Sequence, residues 1–373
     1  MKKWSKYHKK YIRIENKTSH RQLKKYNPNY KLKTRVISII ILIVITFIAF
    51  TFFYKLYKYT IFKKRKKIIL DEEKYSKENS LMNDYKNNKY IILSYNCIGC
   101  GLLSHYGEFL SCSTNIIKQG KIPIVNLLRF PNIFNCFNES SLSLDKNQNP
   151  WEYFFKQPYG YNLKDVKTYA KHIEEYECRF SRPNRAIMFN NKLYSEYWHN
   201  LYEKYFPIKD EIIDRAENIR KKLFKNSQSV LGIFLRGTDF VAIKPKGHWI
   251  QPEPEMVFKD VDKFDEQNNY DFYFLATEDY LIRDKFKNKY NEKLKYLETN
   301  LSFNYNYSSG NEYLAYNKNI NGNFNLMKDY LTNIIILSKC IDIICGRTNG
   351  SVMAFILTKG FRNIKAYNLG LYK

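Results

Sequence analysis

Acidic residues are all but missing from the first 67 positions of this 373-residue chain. One Glu and no Asp stand there against 20 Lys or Arg, so that segment holds +19 of the formal net charge of +26. The other 306 residues share only +7, which removes the case for a nucleic-acid-binding body. Cysteine is scarce as well: all seven follow the basic segment, and Cys97-x-x-Cys100 has no second such pair to complete a zinc site. An Asp-x-Asp metal motif at the end of a strand is also lacking. Apolar residues are not in short supply. At 44% hydrophobic the chain has enough for two cores and is not a disordered polymer.

Long uncharged runs that also lack Pro and Gly are absent too, with one exception. Val36–Tyr54 is nineteen residues without a charge, Pro or Gly, long enough to cross a hydrocarbon core of roughly 30 Å. Thirty-five residues with 13 basic side chains precede it and no small-residue cleavage site follows, so it reads as a retained transmembrane anchor. Thirteen basic residues before it against seven after it put the N-terminus in the cytosol. The expected organisation is a basic cytosolic arm over 1–35, an anchor over 36–54, and a Lys, Glu and Asn rich stem over 55–89. The topology is single-pass type II, with a lumenal domain and, in a eukaryote, Golgi residence.

Past the stem the pattern is α/β. "YIILSYN", a Gly-punctuated "CIGCGLLSHY" and "KIPIVNLL" read as strand, helix and strand, and helical patterns dominate from about Lys164 to Lys225. After a boundary near Asn226 come "SVLGIFL", "EPEMVFKDVDKF", "DFYFLATED", "YLIRDKFKNKY", "LMKDYLTNIIILSK", "CIDIICG" and "GSVMAFILTK". They alternate strand and helix in the manner of a doubly wound parallel sheet. Two Rossmann-like domains, 90–225 and 226–373, are expected to face each other across a cleft. The Asn and Tyr rich stretch 300–325 reads as surface. Asn138, Asn300 and Asn306 open Asn-x-Ser sequons.

Ligands of open α/β sheets gather beyond the carboxyl ends of the strands, and three strands end in polar residues. "GIFL" runs into Arg236-Gly237-Thr238-Asp239, "FYFLA" into Thr277-Glu278-Asp279, and "IDIIC" into Gly346-Arg347-Thr348-Asn349-Gly350-Ser351 at a helix start. Guanidinium forks and a Gly-flanked helix N-terminus suit a diphosphate. Each motif also has a structural reading: the first as a turn with an ion pair, Asp279 as a helix cap, His248 as a surface histidine.

"LGIFLRGTDF", "FYFLATEDYLIRDKFKNKY" and "LSKCIDIICGRTNGSVMAF" resemble the donor-site motifs of the fucosyltransferase superfamily, which includes core α-1,6- and nodulation fucosyltransferases. "NPWEYFFKQPYGYNLKDV" and "AYNLGLY" are similar to its capsule-type branch. The resemblance covers most of 90–373 and implies a GT-B fold, no catalytic metal, no cofactor, and a nucleotide-sugar donor, usually GDP-fucose. The partner would be a glycan or glycoprotein acceptor. Arg236, Thr238, Asp279, Arg347, Thr348, Asn349 and Ser351 are then expected at the donor, and Arg236, Asp239, His248 and Glu278 in catalysis. The chain departs from the core enzymes at Phe234, Gly237, Lys244 and Asn333. Those enzymes carry a histidine, a second arginine, a glutamate and a base-reading aspartate there. The alternatives are a transferase for another nucleotide sugar and a non-catalytic glycan-binding descendant.

Overall fold

The computed structural model describes residues 87–132, 148–179, 181–298 and 324–373. The chain divides into two compact units, 1–72 and 73–373, and every described residue belongs to the second. The anchor at 36–54, nearly all of the stem, the stretch 300–323, Cys136, Asn138, Asn300 and Asn306 lie outside the described residues. Among the described residues no helix is long and apolar enough to cross a membrane.

The first sheet is built from β1 (Lys89–Ser94), β2 (Ile122–Val125) and β3 (His172–Glu177), all parallel, in the order β2-β1-β3. Helix α1 (Leu102–Lys118) carries the crossover from β1 to β2, and α2 (Leu163–Tyr169) precedes β3. β1 and β2 are apolar and buried, whereas β3, "HIEEYE", is almost wholly exposed at the sheet edge. That polarity explains why its sequence does not announce a strand: pairing with β1, and not burial of side chains, holds it. The "NPWEYFFKQPYGY" segment forms the aromatic heart of this half. Trp151 is fully buried, stacked at 5.7 Å on Tyr106 and edge-on at 5.6 Å to Phe206. Its flanking amides secure the end of β2, since Gln157 and Asn149 satisfy the Val125 N–H and C=O. Helices α3 (Arg185–Met188), α4 (Lys192–Tyr205) and α5 (Asp210–Phe224) follow.

α5 stops where Lys225 and Asn226 take positive φ angles, 49° and 68°, and the chain enters the second sheet. Its strands are β4 (Val230–Phe234), β5 (Phe272–Ala276), β6 (Leu294–Lys295), β7 (Asp342–Cys345) and β8 (Ile364–Ala366). All are parallel, in the order β6-β5-β4-β7-β8. The connecting helices are α6 (Thr238–Ala242), α7 (Pro254–Asn268), α8 (Tyr280–Tyr290), α9 (Phe324–Ser338) and α10 (Asn349–Leu357). β4 and β7 are buried throughout, as central strands covered on both faces should be. α9 packs so closely on β4 that a Cβ at Gly232 would lie 2.8 Å from Leu337 Cδ1. The α/β alternation of this half follows the sequence. β3, β6 and β8 were not anticipated; helices do dominate 164–225, with β3 interrupting them.

Both sheets are wound outward from a first strand. β1 has β2 on one side and β3 on the other; β4 has β5 on one side and β7 on the other. The switch points between β1 and β3, and between β4 and β7, therefore open crevices at the carboxyl ends of those strands.

One buried carboxylate ties the second sheet together at its opposite end. Asp342 has no exposed surface; it accepts hydrogen bonds from Tyr270, Arg362, and the backbone and side chain of Asn363. Burial alone would raise its pKa, but those hydrogen bonds outweigh it and hold the carboxyl below its ordinary value. Its contribution to stability is thus complete above the unfolded-state pKa of about 3.9 and lost as pH falls through the lower folded value. Asp342→Asn is expected to cost about 2–4 kcal/mol near neutral pH. The gap from wild type should narrow below about pH 4. Urea titrations across pH check this; a gap that is absent, or constant with pH, contradicts it.

Candidate active site

At the end of β4 the backbone emerges as Leu235-Arg236-Gly237. The Arg236 Nε lies 3.0 Å from Glu278 Oε1, both side chains mostly buried, and its guanidinium sits 4.6 Å from the centre of the Phe240 ring. Glu278, at the end of β5, also accepts from the Gly237 N–H at 3.0 Å. One carboxylate thus fixes both the side chain and the backbone of the neighbouring strand end. The ion pair of the structural reading is present, and it stands at the strand end where the functional reading places Arg236.

Asp279 is buried and caps α8, accepting from Leu281 N at 2.8 Å and Ile282 N at 3.3 Å. A Cβ on Gly237 would lie 2.1 Å from Asp279 Oδ2 and 2.5 Å from its Cβ. Glycine is required here by close approach of the cap. Thr238 and Asp239 open α6, but their side chains are outside the described residues. His248 stands in the loop beyond α6, its ring 5.3 Å from that of Phe240. Lys244 is exposed in the same loop at φ 49°.

The end of β7 is different in kind. Arg347 is only 7% exposed, its guanidinium 4.8 Å from the Trp249 ring and 5.8 Å from the Phe189 ring. Among the described residues no carboxylate pairs with it, and its buried Nε makes no hydrogen bond. Burial lowers its pKa. Close by, Gln251 fills the space a side chain at 346 would need, and its buried Oε1 also lacks a partner among the described residues. Thr348 and Ser351 form a capping box at the start of α10: Thr348 Oγ1 accepts from the Gly350 and Ser351 N–H groups, and Ser351 Oγ accepts from the Thr348 N–H. Their hydroxyls shape the loop. Asn349 reaches across to the first sheet, donating to Ser104 Oγ at 2.5 Å and accepting from Arg185 Nη2 at 2.7 Å.

A recess beyond β5 is lined by Thr277, Glu278, Asp279, Arg283, Tyr296 and Asn333. Asn333, on α9, is 7% exposed with its Oδ1 unpartnered among the described residues. Asp329, one turn earlier, is engaged by Arg215. Among the described residues no group of three His, Cys, Asp or Glu could hold a metal. Cys97 and Cys100 form a disulfide beside α1, while Cys112, Cys178, Cys340 and Cys345 are free and buried.

The structure therefore gathers Arg236, Glu278, Asp279, Arg347, Thr348, Asn349 and Ser351 at the carboxyl edge of one sheet. Arg185, Phe189, Trp249 and Gln251 were missed by sequence reasoning. The available signal was "CRFSRPNR", three arginines in seven positions, which follows a strand not recognised as one.

No family model matches the chain, and no curated protein sequence matches it. Among solved structures it is similar to the fucosyltransferase NodZ from Bradyrhizobium, at 12% identity and TM-score 0.41, covering 73% of this chain and 94% of that one. It is similar to POFUT1 in complex with GDP-fucose at 8% identity and TM-score 0.39, over 75% and 98% of the two chains. A third is FUT1 of Arabidopsis thaliana in complex with GDP, at 9% identity and TM-score 0.40, over 78% and 74%. Likeness at this level carries no argument about chemistry, which rests on the residues above.

The Gly237 contact gives a direct test of this packing. Gly237→Ala must displace the α8 cap and the Arg236–Glu278 pair, and is expected to cost about 1–3 kcal/mol. Thermal unfolding measures it; an unchanged melting temperature would show that Asp279 is not held there.

Proposed function

We propose that the chain is a glycosyltransferase using a nucleotide diphosphate sugar, with GDP-fucose the donor implied by its motifs. The observation that carries this is the pair of mostly buried arginines, Arg236 and Arg347, at adjacent strand ends across a topological switch point, beside the N-terminus of α10. A lectin has little use for such charge. A departing nucleoside diphosphate needs it.

In the reaction the bond from the sugar C1 to the diphosphate oxygen breaks, its electron pair staying on the phosphate, while the acceptor hydroxyl oxygen bonds to C1. The hydroxyl proton passes to a base. Guanidinium groups already in place lower the cost of the developing negative charge without reorganisation. Glu278 holds Arg236 and the Gly237 N–H, so its role is positioning, which leaves Asp239 and His248 as candidate bases. The recess at Asn333 would take the nucleobase. An amide there offers one donor and one acceptor where a carboxylate offers two acceptors, and this favours a second reading with another nucleotide sugar.

The experiment is a screen of GDP and UDP sugars for hydrolysis and transfer by the full chain, with and without EDTA, alongside Arg236→Ala and Arg236→Lys. We expect turnover that survives chelation, a loss of about 100-fold or more in Arg236→Ala, and little rescue by Lys. No turnover of any nucleotide sugar overturns the enzyme reading. Metal-reversible loss with EDTA overturns metal independence, and normal turnover by Arg236→Ala overturns the site.

We further propose type II anchoring through 36–54 with the transferase domain in the lumen, the side on which a Golgi enzyme meets glycoprotein acceptors. Protease added to sealed vesicles should remove only the basic arm. Digestion of the domain before detergent is added reverses the orientation.

A further inference from the structure

Among the contacts that join the two sheets and their helices, one stands at the carboxyl edge of the second sheet. Asn349, first in α10 at the end of β7, bonds to Ser104 in the first turn of α1 and to Arg185 at the start of α3. The contact is reciprocal, since Arg347, two residues before Asn349, lies over Phe189, which caps α3 four residues after Arg185. The loop after β3, which supplies Arg185, and the loop after β7, which supplies Arg347, belong to the switch points of the two different sheets.

Arg185 resembles Arg347 in lacking compensation. Its described contacts are the Asn349 amide and electrostatic repulsion from Arg182; no carboxylate pairs with it among the described residues. Burial and the neighbouring Arg182 push its pKa down to about 10. Elsewhere in this unit arginines sit beside acids: Arg215 with Asp329, Arg220 with Glu217, Arg362 with Asp342. Arg185 is part-buried and Arg347 buried, neither has an acid beside it among the described residues, and Asn349 links the segments that carry them, so an anion bound between those segments would offset the cost of both.

We propose that Arg185 and Arg347 form a clamp for the diphosphate of the donor, so that one of its two cations comes from the acceptor-side sheet and the bound donor ties the two sheets together. This rests on the nucleotide-sugar reading above. A diphosphate matches the clamp because its two phosphoryl groups offer oxygens on opposite sides, each able to meet a planar guanidinium fork. The Asn349 amide sets the Arg185 head at the mouth of the α10 N-terminus, so that the loss of Arg185 removes charge without removing the loop.

The test is calorimetric titration of the full chain with inorganic pyrophosphate, GDP and UDP, for wild type, Arg185→Gln, Arg185→Lys and Arg179→Gln. Arg179 is an exposed arginine of the same loop, so its variant controls for net charge. We expect Arg185→Gln to bind pyrophosphate and the preferred nucleotide at least tenfold more weakly, Arg185→Lys severalfold more weakly, and Arg179→Gln within twofold of wild type. Wild-type affinity in Arg185→Gln overturns the clamp, as does an equal loss in Arg179→Gln. Should the Gln variant unfold, wild-type affinity in Arg185→Lys overturns it. Arg185-dependent binding of pyrophosphate without binding of either nucleotide upholds the clamp and removes the nucleotide reading. Nucleotide binding that ignores Arg185 does the reverse, and binding of neither probe overturns both.

Discussion

A buried guanidinium without an acid beside it is the constraint around which the carboxyl edge of the second sheet is organised. Taking a charge out of water costs several kcal/mol even after relaxation, and proteins ordinarily meet that cost with a carboxylate. Arg347 has two aromatic faces instead, Trp249 and Phe189. Ring faces attract a cation weakly, about 0.5–2 kcal/mol, and leave its donors open. Such an environment keeps the charge oriented and underused, the condition a binding site for an anion needs. The loop that delivers Trp249 is in turn pinned to the "NLGLY" segment by the Trp249–Leu371 bridge.

Arg236 is held by the opposite means. Glu278 neutralises it and fixes the backbone beside it, and Asp279, the next residue, caps α8 while occupying the space above Gly237. These residues form one mechanical unit: the cap positions the acid, the acid positions the arginine, and glycine is what lets the cap approach. An engaged arginine is stiffer than a free one, and stiffness is what electrostatic stabilisation of a leaving group requires. The two arginines therefore differ in environment, one engaged by an ion pair, the other without an acid among the described residues.

Much of this was legible in the sequence because parallel strands buried on both faces must be apolar and their ends must be polar. β4, β5 and β7 with their following helices could be read from that contrast alone, and so could Arg236, Glu278 and the Thr348–Ser351 loop. β3 could not, since an edge strand reading "HIEEYE" buries almost nothing and is defined by its pairing with β1. The loss of β3 hid Arg185, whose significance depends on standing after a strand. Phe189, Trp249 and Gln251 were hidden for another reason. Each lies far in sequence from Arg347 and acquires its role by tertiary contact. Asp279 illustrates a residue type that fits both a cap and a ligand; its geometry places it in the cap.

The departures at the first motif also acquire a physical reason. The resemblance would put a second arginine at 237, yet any side chain there would collide with Asp279 within about 2 Å of its carboxylate oxygen. The adjacent strand end thus cannot hold two arginines while α8 keeps its cap in this position. In the proposed clamp, the charge withheld from the end of β4 would come from Arg347 at the end of β7 and, from the other sheet, from Arg185. Distributing cations over two sheets has a consequence that placing them on one strand would not. On the clamp proposed above, an anion held by Arg185 and Arg347 together would attach one sheet to the other, so that donor binding and the alignment of acceptor-side elements would be a single event.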